Sequence, residues 1–261
     1  MSEVLELHAH VEGEGPDLLM LHGLFGSARN WLSLQRVLAK GHRVHALDLR
    51  NHGQSPWAEA MDYELMAADV AHYARQHCAG APVVLGHSMG GKVAMAMALI
   101  DHDWLAGLIV VDIAPVENPP TLSSVLAAMM RVDPSRTSRR QEVSEWLAAD
   151  VHDERTRAFL LQNLVTADGA LRWRINLPAI ERAMPGILGF PVTLAGARFD
   201  GPCQFIAGAR SDYVQAVHEP VIRRLFPNAR LATISDAGHW VHADQPQAFL
   251  ATVGETLVQW G

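Results

Sequence analysis

The length, composition and charge of the chain exclude several classes of protein. The chain has 261 residues, of which 49% are hydrophobic and 19% are charged, and its 21 Lys and Arg against 28 Asp and Glu give a formal net charge of −7. This composition is typical of a globular protein and not of a disordered one. An acidic chain without a basic cluster is not expected to bind nucleic acid or an anionic membrane surface.

Cysteine usage and hydrophobic runs indicate the compartment. Cys78 and Cys203 are the only cysteines, which are too few for a disulfide framework. The longest apolar run, residues 93–100, is far shorter than the roughly 20 residues that a membrane helix needs. No basic region followed by an apolar stretch opens the sequence, so no signal peptide is predicted. We therefore expect a cytoplasmic protein with no membrane partner.

The first third of the chain alternates predicted strands and helices. Apolar and polar residues alternate over 4–11, as in a half-buried strand, whereas 18–21 and 82–85 are short apolar runs typical of strands buried on both faces. Strand–helix alternation of this kind predicts a mostly parallel sheet with helices on both faces, an α/β fold. The other elements predicted here are helices at 30–39, 63–77 and 92–100 and strands at 43–49 and 105–111.

The pattern changes after Pro115. Residues 116–190 are helical in pattern, are interrupted by prolines and contain no convincing buried strand. Alternation then resumes, with strands predicted at 203–207 and 230–234 and helices at 217–225 and 248–260. We therefore predict one α/β core made of residues 1–115 and 191–261, with a helical cap insertion at residues 116–190.

One motif indicates nucleophilic catalysis. Gly86-His87-Ser88-Met89-Gly90 is a G-x-S-x-G sequence between a predicted strand and a predicted helix. In such a sharp turn the serine hydroxyl is exposed above the carboxyl ends of the strands, and the glycines let strand and helix approach closely. A serine that merely caps a helix would give the same five residues, but the flanking elements favour the nucleophile. Ser88 is the predicted nucleophile.

A serine nucleophile needs a base and a group that orients the base. His239 lies on a loop after the last predicted strand, where the Ser, acid, His order of hydrolases places the base. Asp112, at the tip of the strand after the nucleophile helix, and Asp212, after the strand at 203–207, could each orient the imidazole. Sequence spacing alone leaves both carboxylates open.

Two backbone N–H groups are needed to bind the oxyanion that forms during acyl transfer. Met89, which follows the nucleophile, supplies one of them. The other comes from the loop at residues 22–26, where Leu24 is favoured and Phe25 is the alternative.

Several motifs together resemble those of a known superfamily. They include the serine motif and five further segments: His22-Gly23-Leu24-Phe25-Gly26-Ser27 with Asn30-Trp31, Asp48-Leu49-Arg50-Asn51-His52-Gly53 with Ser55, Val111-Asp112-Ile113-Ala114-Pro115, Arg172-Trp173-Arg174-Ile175-Asn176-Leu177 and Gly238-His239-Trp240-Val241-His242. On these residues the chain resembles the α/β-hydrolase superfamily over its whole length. It is similar in particular to the bacterial short-chain esterases related to mammalian alpha/beta-hydrolase domain-containing protein eleven.

The resemblance implies the α/β-hydrolase fold with a helical cap over the pocket. It also implies hydrolysis of a small-molecule carboxylic ester or acyl thioester, and it favours Asp112 over Asp212, because an aspartate after that strand recurs in the branch. From the residues themselves, an apolar pocket for a short or medium acyl chain is predicted, lined by Phe25, Trp31, Met89, Trp173 and Trp240.

Other functions and ligands compete with this prediction. A cofactor-free perhydrolase or carbon–carbon bond hydrolase would keep the same triad, and a non-catalytic binding protein of this fold would not need it. No cofactor is expected. No metal is expected either: His8 and His10 share one face of a strand, but the sequence places no third ligand beside them.

An arginine cluster lies on the predicted cap at positions 136, 139 and 140. Such a cluster is typical of a solvent-exposed face; the alternative is that it binds the anionic group of an acyl thioester substrate.

Overall fold

The computed structural model describes residues 3–260, and a seven-stranded sheet lies at its centre. The described residues contain nine strands, of which seven form this sheet and two, β6 and β7, pair separately. They are β1 (Ala9–Glu12), β2 (Asp17–Leu21), β3 (Arg43–Leu47), β4 (Val83–His87), β5 (Gly107–Val111), β6 (Leu164–Ala167), β7 (Ala170–Trp173), β8 (Cys203–Gly208) and β9 (Ala229–Ile234). The large sheet has the order β1-β3-β2-β4-β5-β8-β9. Only β1 runs antiparallel to its neighbour, and the other pairs are parallel. The predicted mostly parallel sheet is therefore confirmed.

Helices cover both faces of this sheet. They are α1 (Leu32–Leu38), α2 (Tyr63–His77), α3 (Met89–Ile100), α4 (Thr121–Arg131), α5 (Arg140–Leu147), α6 (Glu154–Leu160), α7 (Leu177–Leu188), α8 (Glu219–Leu225), α9 (Val241–Asp244) and α10 (Pro246–Trp260). Helices α1 and α10 pack on one face, and α2, α3 and α8 pack on the other. Among residues 3–260, no helix is both long and apolar enough to cross a bilayer.

The central strands are buried because they lie between two helical layers. Every residue of β2, β4 and β5 is buried, which explains why their sequences are nearly continuous apolar runs. Strand β1 is shorter than the predicted 4–11 strand. The backbone N–H groups of Leu5 and His8 donate to the side chains of Asp69 and Ser55 and not to a neighbouring strand.

The chain leaves the sheet after β5 and re-enters it as β8, which is the parallel neighbour of β5. We call residues 116–190 the inserted segment. It contains α4 to α7 and also an antiparallel hairpin of β6 and β7. The hairpin was not predicted, but it is not a buried strand either, since only one residue of each hairpin strand is buried. The turn of this hairpin is Asp168-Gly169, with φ angles of 52° and 82°. An Asp-Gly pair is the sequence signal for such a turn.

Candidate active site

Ser88 occupies the sharp turn between β4 and α3. Its backbone angles are φ 53° and ψ −119°, a conformation that is uncommon for a residue with a side chain. The turn requires glycine on either side of it. A Cβ atom on Gly86 would collide with the carbonyl group of Gly90, and one on Gly90 would lie 2.5 Å from the carbonyl oxygen of Leu21. The close approach of β4 and α3 thus aims the hydroxyl of Ser88 away from the core.

His239 joins Ser88 to Asp112. Its Nε2 atom lies 3.0 Å from Oγ of Ser88, and its Nδ1 atom lies 2.8 Å from Oδ2 of Asp112. The Asp112 side chain is completely buried and that of His239 is 26% exposed. The three side chains therefore form a continuous hydrogen-bonded chain from the core to the hydroxyl of Ser88.

Asp112 is held by several donors besides His239. Its Oδ1 atom accepts a hydrogen bond from the Gly208 backbone N–H at 2.9 Å, and its Oδ2 atom accepts one from the hydroxyl of Ser211. Asp212, the alternative acid, accepts from the side-chain amide of exposed Gln215 at 3.3 Å. The structure thus brings Asp112 to His239 and leaves Asp212 outside the site.

Tyr213, which sequence reasoning missed, and His87, which belongs to the serine motif, contact the imidazole of His239 or its backbone. The ring of Tyr213 stacks on that of His239, with centroids 3.9 Å apart and an interplanar angle of 20°. Nε2 of His87 donates to the carbonyl oxygen of His239 at 2.8 Å. Burial lowers the pKa of His87 well below its ordinary value, so this ring is neutral and its single N–H makes that bond. The sequence signal for the contact between Tyr213 and His239 was the position of Tyr213 next to Asp212, in the loop after β8 where an acid was expected.

The two predicted oxyanion donors lie beside Ser88. Leu24, Ser88 and Met89 line one small recess. Within residues 3–260 the backbone N–H groups of Leu24 and Met89 have no hydrogen-bond acceptor, so both can donate to a ligand.

The loop that carries Leu24 is fixed by His22. The Nδ1 atom of His22 donates to the Gly23 carbonyl oxygen at 2.8 Å, and its Nε2 atom accepts from the Leu49 N–H at 3.0 Å. Burial lowers the pKa of His22, which keeps the ring neutral and able to make both bonds.

A cavity of about 510 Å³ opens over Ser88 and His239. Phe25, Trp31 and Trp240 line it. Trp173 does not line it, so that prediction is wrong: Trp173 lies on β7, and its indole N–H donates to the Val132 carbonyl oxygen at 3.3 Å. Met89 lines the smaller recess beside Ser88 instead. The sequence did not identify several other apolar residues of the wall, among them Leu34, Leu122, Val125, Phe159 and Leu160.

The arginine cluster of the inserted segment lies outside this cavity. Arg140 donates to two backbone carbonyl groups at 2.7 Å, Arg139 pairs with Glu142 at 3.0 Å, and Arg136 lies over the ring of Trp146. The cations that do line the cavity are Arg29 and Arg155.

One group of side chains has the composition of a metal site. Ligand atoms of Asp17, His45 and Cys78 lie within 4.8 Å of one another. Both ring nitrogens of His45 already have hydrogen-bond partners, Asp17 and the hydroxyl of Tyr73, each at 2.9 Å. Hydrogen bonding alone therefore accounts for this group.

Comparison with known proteins shows the family. The sequence matches the alpha/beta hydrolase family over residues 18–252. It is 41% identical over 248 residues to the sn-1-specific diacylglycerol lipase ABHD11 of Xenopus laevis, a match that covers 92% of this chain and 78% of that protein. It is 34% identical over 241 residues to the esterase YbfF of Escherichia coli strain K12, a match that covers 92% of each chain. A solved marine microorganism esterase superposes with a TM-score of 0.92 and 37% identity, over 97% of this chain and 99% of that one.

These comparisons confirm the resemblance and the fold inferred from the motifs. The predicted class, a hydrolase acting on ester bonds, agrees with the names of these relatives. The match spans both parts of the sheet as well as the segment inserted between β5 and β8. The chain therefore belongs to the alpha/beta hydrolase family.

Proposed function

We propose that this protein is a serine hydrolase that cleaves small carboxylic esters or thioesters through Ser88, His239 and Asp112. The observation that carries the proposal is the hydrogen-bonded chain from Ser88 Oγ through His239 to Asp112, with distances of 3.0 and 2.8 Å, at the floor of the cavity. The relatives named as an esterase and a diacylglycerol lipase support an ester as the substrate class.

In the first half of the reaction, Ser88 Oγ attacks the acyl carbonyl carbon while its proton passes to His239 Nε2. The negative charge that develops on the carbonyl oxygen is stabilised by the backbone N–H groups of Leu24 and Met89. Asp112 stabilises the imidazolium that forms and holds its ring in position. When the bond to the alcohol or thiol breaks, His239 gives its proton to that leaving group, and the acyl group remains as an ester on Ser88.

In the second half, water replaces the leaving group. His239 accepts a proton from water as the hydroxide oxygen attacks the acyl carbon, and the same two N–H groups stabilise the second oxyanion. The bond to Ser88 Oγ then breaks, and His239 returns the proton to the serine. The products are the carboxylic acid and the free enzyme.

We also propose that the inserted segment acts as a cap. It supplies Leu122, Val125 and Phe159 to the wall of the cavity, while the rest of the chain supplies the nucleophile, base and acid. A volume of about 510 Å³ lies in the lower half of the range of ligand sites and suits short or medium acyl chains.

Labelling of the nucleophile tests the proposal directly. After reaction with a serine-directed alkyl phosphonate, mass spectrometry should find one adduct, on the peptide that contains Ser88. The Ser88→Ala variant, as the matched control, should carry none. An adduct on another residue, or no adduct, would contradict the assignment.

Turnover measurements identify the substrate class. Acyl chains of rising length should be compared as p-nitrophenyl and coenzyme A esters. Ser88→Ala should lower kcat by at least about 10⁴-fold on each substrate that the enzyme cleaves. A vinylogous diketone that is cleaved faster than every ester would instead assign the same triad to carbon–carbon bond hydrolysis.

A further inference from the structure

Lys92 is a buried cation one helical turn after Ser88. It is 1% exposed, and its Nζ atom donates to the carbonyl oxygens of Val116 at 2.8 Å, Leu188 at 2.8 Å and Gly189 at 2.6 Å. Val116 is the first residue of the inserted segment, and Leu188 and Gly189 belong to its end. One ammonium group thus joins both ends of the inserted segment to the helix that follows the nucleophile.

This arrangement uses the full donor capacity of the side chain. An ammonium group has three N–H donors, and each of them meets a backbone carbonyl group. Within residues 3–260 no carboxylate lies within ion-pair distance of Lys92. Burial lowers the pKa of Lys92 to about 7, and the charge of Glu117 opposes that shift. A buried charge is costly unless it is hydrogen-bonded, so the three carbonyl groups stabilise Lys92 and are in turn satisfied by it.

The end of α7 shows why a cation fits this position. The last carbonyl groups of a helix have no partner within the helix, and they carry the negative end of its dipole. Leu188 is the last residue of α7, and its carbonyl oxygen also accepts from the Asn118 N–H at 2.9 Å. The carbonyl oxygen of the preceding residue, Ile187, accepts from the hydroxyl of Tyr63 at 2.6 Å. Lys92 and Tyr63 together therefore cap α7 from the core.

The two anchored ends are close to the reacting centre. Asn118, Leu122 and Leu188 line the same small recess as Ser88 and Met89. Helix α4, which begins five residues after Val116, carries Leu122 and Val125 in the wall of the substrate cavity. A shift of the ends at Lys92 would therefore move this wall relative to Ser88.

We propose that Lys92 is a positioning residue: its ammonium group fixes both ends of the inserted segment against α3 and so sets the place of the cavity wall over Ser88. The inference rests on the proposed function in that this cavity is taken as the substrate site. Lys92 itself takes no part in proton transfer.

Substitution of Lys92 tests the proposal with a matched control. Lys92→Met keeps an unbranched side chain, one atom shorter, and removes all three donors. The chain has lysines only at positions 40 and 92, and Lys40 is exposed, so Lys40→Met is the control. In Lys92→Met, hydrogen exchange should quicken in peptides covering residues 116–120 and 186–190 but not in those covering β4 and β5. KM for an octanoyl ester should rise at least about fivefold more than KM for an acetyl ester. Lys40→Met should change neither measurement.

Several results would overturn the proposal. Unchanged exchange at both ends of the inserted segment in Lys92→Met would do so, as would equal changes of KM for the two esters. These results differ from a failure of the proposed function, which would show as absent labelling of Ser88 in the unsubstituted protein, whereas hydrogen exchange needs no turnover.

A measurement on the unsubstituted protein keeps the test valid if Lys92→Met does not fold. With ¹⁵N-labelled lysine, the protein should give two Nζ signals. The ammonium protons of Lys92 should exchange with water much more slowly than those of Lys40. Equal and fast exchange of both ammonium groups would overturn the proposal.

Discussion

Replacement of Asp112 by asparagine is the sharpest test of the site, because it changes charge and donor pattern with almost no change of shape. The carboxylate accepts from Gly208 N–H at Oδ1, and from Ser211 and His239 at Oδ2. If the introduced amide keeps its oxygen at Gly208, its NH₂ group faces Nδ1 of His239. That nitrogen must then offer a lone pair, so the imidazole proton moves to Nε2, the atom that has to accept the proton of Ser88. In the other rotamer of the introduced amide, its NH₂ group faces the Gly208 N–H. Two buried donors then meet without an acceptor, which costs about 1–3 kcal/mol.

The expected effect follows from this tautomer and from the loss of the charge that stabilises imidazolium. Asp112→Asn should lower kcat by about 10⁴-fold, equivalent to about 5 kcal/mol of transition-state stabilisation. KM should change little, since Asp112 is not among the residues that line the cavity within the described part of the chain.

The assay is steady-state hydrolysis of a short p-nitrophenyl ester by the unsubstituted protein, Asp112→Asn and Asp212→Asn. The last is the matched control, because Asp212 contacts Gln215 and not His239. Thermal unfolding followed by circular dichroism should show that all three proteins are folded. A kcat of Asp112→Asn within tenfold of the unsubstituted value, or a fall of more than about 100-fold in Asp212→Asn, would refute the reasoning.

Three further predictions concern the surroundings of the triad. Tyr213→Ala should lower kcat/KM by about tenfold because the ring stacks on His239, whereas Tyr213→Phe should retain activity; equal losses in both would contradict the stacking role. Phe159→Ala should raise kcat/KM for decanoyl relative to butanoyl esters by about tenfold, because Phe159 lines the cavity and packs on Trp240; an unchanged chain-length profile would exclude it from the acyl site. Burial lowers the pKa of His52 to about 3, so below pH 6.5 the unfolded chain binds a proton that the folded protein does not. The unfolding free energy should thus fall as the pH decreases, by about 2 kcal/mol from this residue at pH 5, and denaturant titrations of His52→Asn should show a correspondingly smaller fall.

Local sequence patterns determined the elements that position Ser88. The apolar runs that became β2 and β4 are strands because both of their faces are covered, and the glycines around Ser88 allow the sharp turn that the structure shows. Such features depend on residues within a few positions of one another, so they can be recognised without the fold. The same kind of signal, Asp168-Gly169, was present in the inserted segment, but the helical pattern around it concealed the hairpin.

The partners of Ser88 depend on contacts between distant parts of the chain. Asp112 and His239 are 127 positions apart, and the parallel pairing of β5 with β8 brings Gly208 and Ser211 to the carboxylate of Asp112 and not to that of Asp212. Trp173 was misplaced for the same reason, since the direction of a side chain on β7 depends on how the hairpin packs.

By itself, then, the sequence determined the fold class, the family, and the places of the candidate nucleophile and the candidate base, because each is encoded in a short, contiguous pattern. Only the tertiary structure decided which carboxylate meets His239, which side chains form the cavity wall, and that Lys92 bonds to carbonyl groups 24, 96 and 97 positions away. These contacts are made where the ends of parallel strands and the ends of the inserted segment converge. No local sequence pattern predicts these contacts, because they result from the packing of helices on both faces of one sheet.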